Sequence, residues 1–114
     1  MRPKRVAFAL AVLLGSGGAF AHTHLTSSTP AAGAQLTVAP QALTLEFSEP
    51  AQLTALSIAK AGAAPVKLAA PSAPQSRIRI ALPVLTPGTW TVRFRALASD
   101  GHLMPGDLTF TLAP

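Results

Sequence analysis

Four stretches of this chain alternate apolar and polar residues with a period of two, and beyond the N-terminal segment no useful length repeats at the helical period. Leu43, Leu45 and Phe47 share one face of the first, and Ile78 and Ile80 alternate with Arg77 and Arg79. Trp90, Val92 and Phe94 alternate with Thr91, Arg93 and Arg95, and Leu108, Phe110 and Leu112 alternate with Thr109 and Thr111. Successive side chains of a strand point to opposite faces, so each stretch can bury one face and wet the other. Eight of the eleven prolines fall between Pro30 and Pro87, where they punctuate short apolar runs and cannot sit inside helices. Weaker strands are expected at 24–28, 53–58 and 66–68, and the low-complexity stretches 59–64 and 69–76 read as loops. Turns are expected at Pro30-Ala31-Ala32-Gly33, Ala61-Gly62, Pro71-Ser72-Ala73-Pro74 and Pro87-Gly88. The expectation is an all-β domain of seven short strands, a β-sandwich or barrel with Greek-key connections. Which strand joins which sheet does not follow from the pattern.

The N-terminus has a different character. Met1-Arg2-Pro3-Lys4-Arg5 is basic, residues 6–14 are apolar, and Ala19-Phe20-Ala21 is an A-x-A cleavage site. This is the pattern of a secretory signal peptide, and the apolar run is too short to span a bilayer. The expected division is a signal peptide at 1–21 and one exported domain at 22–114, not membrane-spanning once cleaved. The formal charge of +5 rests on nine basic and four acidic residues; removing Arg2, Lys4 and Arg5 leaves six basic residues and a charge of +2. Arg77/Arg79 and Arg93/Arg95 each lie on one strand face and read as solvated surface. With no Tyr, one Trp and no basic run in the exported domain, nucleic acid is not an expected partner. No cysteine is present, so no disulfide supports the fold and no thiolate is available as ligand or nucleophile.

The chemistry-bearing residues are few. The three histidines are His22, His24 and His102. Cleavage after Ala21 makes His22 the first residue, with an α-amine and an imidazole to chelate a metal together. His102 follows Asp100 and Gly101. Two residues apart on an extended segment, Asp100 and His102 are expected to point to the same side. The sandwich edge is expected to bring them to the N-terminal strand. An amine, imidazoles and a carboxylate favour Cu(II), which heads the divalent affinity series, with Zn(II) as the competitor.

These residues also carry a resemblance. His22-Thr23-His24-Leu25-Thr26-Ser27-Ser28-Thr29-Pro30-Ala31-Ala32-Gly33 resembles the mature start of CopC-type periplasmic copper-resistance proteins. Leu45-Glu46-Phe47-Ser48-Glu49-Pro50 resembles their FSEP strand end, and 90–102 with Gly106 and Phe110 resembles their C-terminal signature. The resemblance implies a seven-strand immunoglobulin-like or cupredoxin-like fold that binds copper without catalysis, for copper resistance or homeostasis in the periplasm. It implies one Cu(II) per chain, held by His22 through amine and imidazole with Asp100 and His102. Glu49 lies near the site in some members. His24 is left open, because an amine followed by a histidine at position three is itself a Cu(II)-binding arrangement. An inner-membrane copper-transport protein is the implied partner.

Two departures stand out. The loop at 59–73, where some members bind Cu(I) through Met and His, has neither residue, so no dedicated Cu(I) site is expected. Leu103 and Met104 separate His102 from Pro105, where the family usually has proline directly, and this is expected to shift His102 slightly. Met104 reads as packing. Two other functions compete. A histidine-brace copper monooxygenase uses a similar N-terminal ligand, but stacking aromatics for a polysaccharide are missing here. A metal-free secreted β-sandwich serving as an interaction module is the other.

Overall fold

A computed structural model describes residues 23–114; residues 1–22, which hold the expected signal peptide and His22, lie outside the described residues. Seven strands form one sheet: β1 (Leu25–Thr29), β2 (Gln35–Leu36), β3 (Ala42–Lys60), β4 (Val66–Lys67), β5 (Gln75–Ala81), β6 (Gly88–Ala98) and β7 (Leu103–Leu112). Their order is β1-β3-β6-β7-β2, with β4 and β5 also paired to β3. One strand meets four partners because its two halves belong to two layers. Residues 42–47 of β3 pair with β1 and β5, and 51–60 pair with β6 and β4, with Ala51 also meeting Gln75 at the start of β5. The sheet thus curls on itself around one core.

The sequence pattern predicts two strands, at 43–47 and 53–58, where the structure has a single strand of 19 residues. Proline 50 lacks an N–H, and the pairing of β3 with β5 shifts register between Glu46 and Ala51, so the chain turns from one layer to the other without leaving the sheet. A second register shift, between Leu53 and Ala55, puts one extra residue in the strand. Leu53 and Leu56 are therefore both buried, which breaks the period-two pattern. The expected loops are shorter than predicted, since β3 runs to Lys60 and β5 begins at Gln75. The turn signal at Ala61-Gly62 falls where β3 ends, and that at Pro87-Gly88 where β6 begins.

Leu43, Leu45 and Phe47 from the first half of β3 and Ile78 and Ile80 from β5 line one side of the core. Val92, Phe94, Leu108 and Phe110 from β6 and β7 line the other. Phe47 and Phe94 meet edge-to-face with centroids 5.8 Å apart, linking the two layers through a geometry that adds about 0.5–1.5 kcal/mol beyond area burial. Met104 packs partly buried against this core, as the sequence suggests. Arg77, Arg79, Arg93 and Arg95 are exposed.

Strand β7 begins at Leu103, five residues before the alternating segment. Its pairing with β6 is regular from Leu97↔Leu103 to Gly88↔Leu112. The Ala98 N–H donates to His102 O at 2.9 Å. By alternation along an antiparallel ladder, the backbone nitrogen of Pro105 points away from β6. Proline thus costs this ladder no hydrogen bond and removes a donor from the outer edge. Further along that edge β2 covers β7: the Gly33 N–H reaches Thr109 O at 2.6 Å and the Thr111 N–H reaches Ala34 O at 2.9 Å.

Candidate metal centre

The turn between β6 and β7 carries two of the predicted ligands. Gly101 sits at φ +93°, a conformation open to glycine and strained for other residues. It folds the chain so that His102 comes back onto Asp100. The backbone N–H of His102 donates to Asp100 Oδ1 at 3.0 Å, and His102 Nδ1 lies 3.0 Å from Asp100 Oδ2. The pair therefore meets through a turn, not through the extended i, i+2 geometry the sequence suggests. Both carboxylate oxygens are engaged by one residue. The hydrogen bond from the His102 backbone N–H, then that from its ring, hold the Asp100 carboxyl below its ordinary value of 3.8.

With Nδ1 turned onto the carboxylate, Nε2 is the ring nitrogen left to meet an ion, as in the carboxylate–histidine pairs that orient metal ligands. The His102 side chain is 75% exposed and that of Asp100 41%. The insertion of Leu103 and Met104 leaves the pair intact, because both residues are absorbed into β7.

His24 approaches from the other layer. Its carbonyl accepts the Ser48 N–H at 2.8 Å, and its N–H donates to Ser48 Oγ at 3.0 Å. This extends the β1–β3 ladder one step beyond Leu25↔Phe47. Glu49 follows directly and is exposed. Ala51, two residues on, pairs with Ala98, which leads into the Asp100 turn. Topology thus brings His24, Glu49, Asp100 and His102 to one end of the curled sheet. Thr23 is only 7% exposed, so the chain is already held against the barrel one residue after His22. A cavity of about 360 Å³ lies there, bordered by Thr23, His24, Phe47, Phe94 and Met104.

Among the described residues no group of three or more His, Cys, Asp or Glu side chains is arranged to hold a metal ion. The structure joins Asp100 with His102; it does not join His24 or Glu49 to them as one ligand set, and His22 lies outside the described residues. Ser48 and Thr23 are the positioning residues that sequence reasoning missed. Ser48 lies inside the FSEP segment beside a more conspicuous carboxylate; a buried threonine at the start of a domain leaves no signal in a single sequence.

Similarity to known proteins follows the same residues. The chain is 39% identical over 115 residues to Protein YobA of Escherichia coli K12, covering 92% of each. It is 31% identical over 114 residues to Copper resistance protein C of Xanthomonas campestris pv. juglandis, covering 90% of this chain and 89% of that protein. The crystal structure of CopC from Methylosinus trichosporium OB3b superposes with a TM-score of 0.72 at 26% identity, over 82% of this chain and 95% of that one. PcoC, a methionine-rich copper resistance protein from Escherichia coli, superposes with a TM-score of 0.62 at 34% identity, over 81% of this chain and 99% of that one. The CopC domain model matches residues 25–113, and the chain belongs to the CopC family.

Proposed function

We propose that this protein binds one Cu(II) per chain in the periplasm, using His22, Asp100 and His102, and either sequesters it or delivers it to a membrane copper transporter. A copper-binding role follows from membership of the family. The finer reading rests on one observation, the Asp100–His102 pair at 3.0 Å on an exposed turn, at the end of the barrel where the N-terminal strand also arrives. The exported chain places the His22 amine and imidazole one residue before the buried Thr23. On this reading His22 supplies two nitrogens, its amine and its imidazole, and His102 a third through Nε2. Asp100 supplies negative charge; a direct bond from it to copper has to displace one of its two hydrogen bonds to His102. The donor set is hard to borderline, and Met104, the single methionine beyond the signal segment, packs against the core. Such a set favours Cu(II) over Cu(I). The protein acts as a carrier, not an enzyme.

The competing copper mode wraps the ion in the amine, two backbone amides and His24. The β-ladder from His24 to Ser48 opposes it, because the His24 N–H is already committed to Ser48 Oγ at 3.0 Å. Comparing His102→Ala with His24→Ala by Cu(II) titration and EPR separates the two. His102→Ala is expected to alter the spectrum and weaken binding by at least about tenfold, the lower end of what loss of even an outer-shell partner costs. His24→Ala is expected to cost less. Loss of binding in His24→Ala, with an unchanged spectrum in His102→Ala, would sink the fold-dependent site.

A further inference from the structure

We propose that the outer face of the β4-β3-β6-β7 layer is a docking groove for an acidic, extended segment of a partner protein. The groove has a volume of about 850 Å³, and Lys67, Arg93 and Arg95 line it together with Ala55, Ser57 and Asp107. The register explains its shape. Lys67, Ser57, Arg93 and Asp107 form one cross-strand row, and Ala55, Arg95 and Pro105 form the next. Residues paired across strands share a face, so long cationic side chains stand around a centre made shallow by Ala55 and Ser57.

Three cations share this face with one carboxylate, Asp107, which leaves an excess of positive charge. Among the described residues, none of the side chains of Lys67, Arg93 and Arg95 has an ion-pair or hydrogen-bond partner, Asp107 included. Arg93 and Arg95 are two residues apart on β6, which spaces them by roughly 7 Å. Carboxylates at alternate positions of an extended chain have the same spacing, and the guanidinium fork accepts each of them in bidentate fashion. A groove with small central residues between cationic side chains suits a peptide strand better than a flat, uniformly charged membrane surface. Pro105, Gly106 and Asp107 border this groove and also the smaller cavity beside Thr23 and His24. A bound segment therefore lies next to the N-terminal strand. The inference does not depend on the copper reading, and the experiment runs on metal-free protein.

The probe is a synthetic eight-residue peptide alternating glutamate and serine, titrated into labelled protein and followed by backbone amide shifts. Saturable shifts centred on Lys67, Arg93 and Arg95 are expected, weakening as salt rises because exposed charges are screened. Removing both guanidinium groups with Arg93→Gln and Arg95→Gln is expected to reduce affinity about tenfold. Arg77→Gln with Arg79→Gln removes the same charge from the other layer and is expected to leave affinity within about twofold of the parent. Four results would overturn the proposal: equal losses in the two double variants, equal binding of a glutamine–serine peptide, the same shifts with inorganic phosphate, or retention by phosphatidylglycerol vesicles without peptide binding.

Discussion

Asp100, Gly101 and His102 form a self-contained unit: one glycine at φ +93°, a hydrogen bond from the His102 backbone N–H, and a second from its ring. The acid–base behaviour of the site follows from it. The hydrogen bonds from His102 hold the Asp100 carboxyl below 3.8, so it stays anionic at neutral pH. The proposed ligand set needs the amine deprotonated and the imidazoles neutral, and α-amines titrate near 7.7–8.0. Copper affinity should therefore fall steadily between about pH 8 and pH 5. The fold should not change over that window. A depressed carboxyl contributes stability that is present above its unfolded value and lost only as pH falls through the lowered one, and Asp100 is exposed, so its share is small. Titrations followed in parallel by circular dichroism check this; unfolding within the window, or an affinity independent of pH, contradicts it. At this scale much was legible. All three histidines lie in two short segments, and the Asp-Gly-His spacing marks the pair. The geometry was not legible, because only the backbone at Gly101 decides that the pair meets through a turn.

At the scale of elements, the strongly alternating stretches became strands with the predicted faces inward, and the exceptions share a cause. Strand β2 has two residues and pairs in parallel with the end of β7, so neither alternation nor a hairpin turn announces it. The second half of β3 carries a bulge that places Leu53 and Leu56 on the same side. Strand β7 extends back to Leu103 through a proline whose missing N–H faces the edge. Such features depend on partners far along the chain. The pairing of β6 with β7 also explains Gly106. A Cβ there would lie 2.4 Å from Phe94 Cζ and 2.9 Å from both Cε atoms, and Phe94 is itself only 6% exposed and packed on Phe47. Gly106→Ala should destabilise the domain by about 1–3 kcal/mol through overpacking, measured by urea unfolding. A change below about 0.5 kcal/mol, as for an ordinary surface substitution, would show that the ring moves aside freely.

For the whole molecule, the curled sheet fixes a division between ends. One end gathers the start of β1, the bend of β3 and the β6–β7 turn; the basic groove lies along the outside of one layer beside it. The core holds this frame without disulfides, since the chain has no cysteine. The frame matters because the proposed copper site is assembled from segments far apart in the sequence, residue 22 and residues 100–102. The proposed His22 chelate requires a free amine, which exists only when nothing precedes it. The most direct test is Cu(II) affinity measured by competition titration on two versions of the protein, one starting at His22 and one retaining Ala21. The version starting at His22 should bind one equivalent, and the extended version should bind at least about tenfold more weakly, since a chelating nitrogen becomes an amide. Equal affinity of the two versions would contradict a copper centre built on the N-terminal histidine.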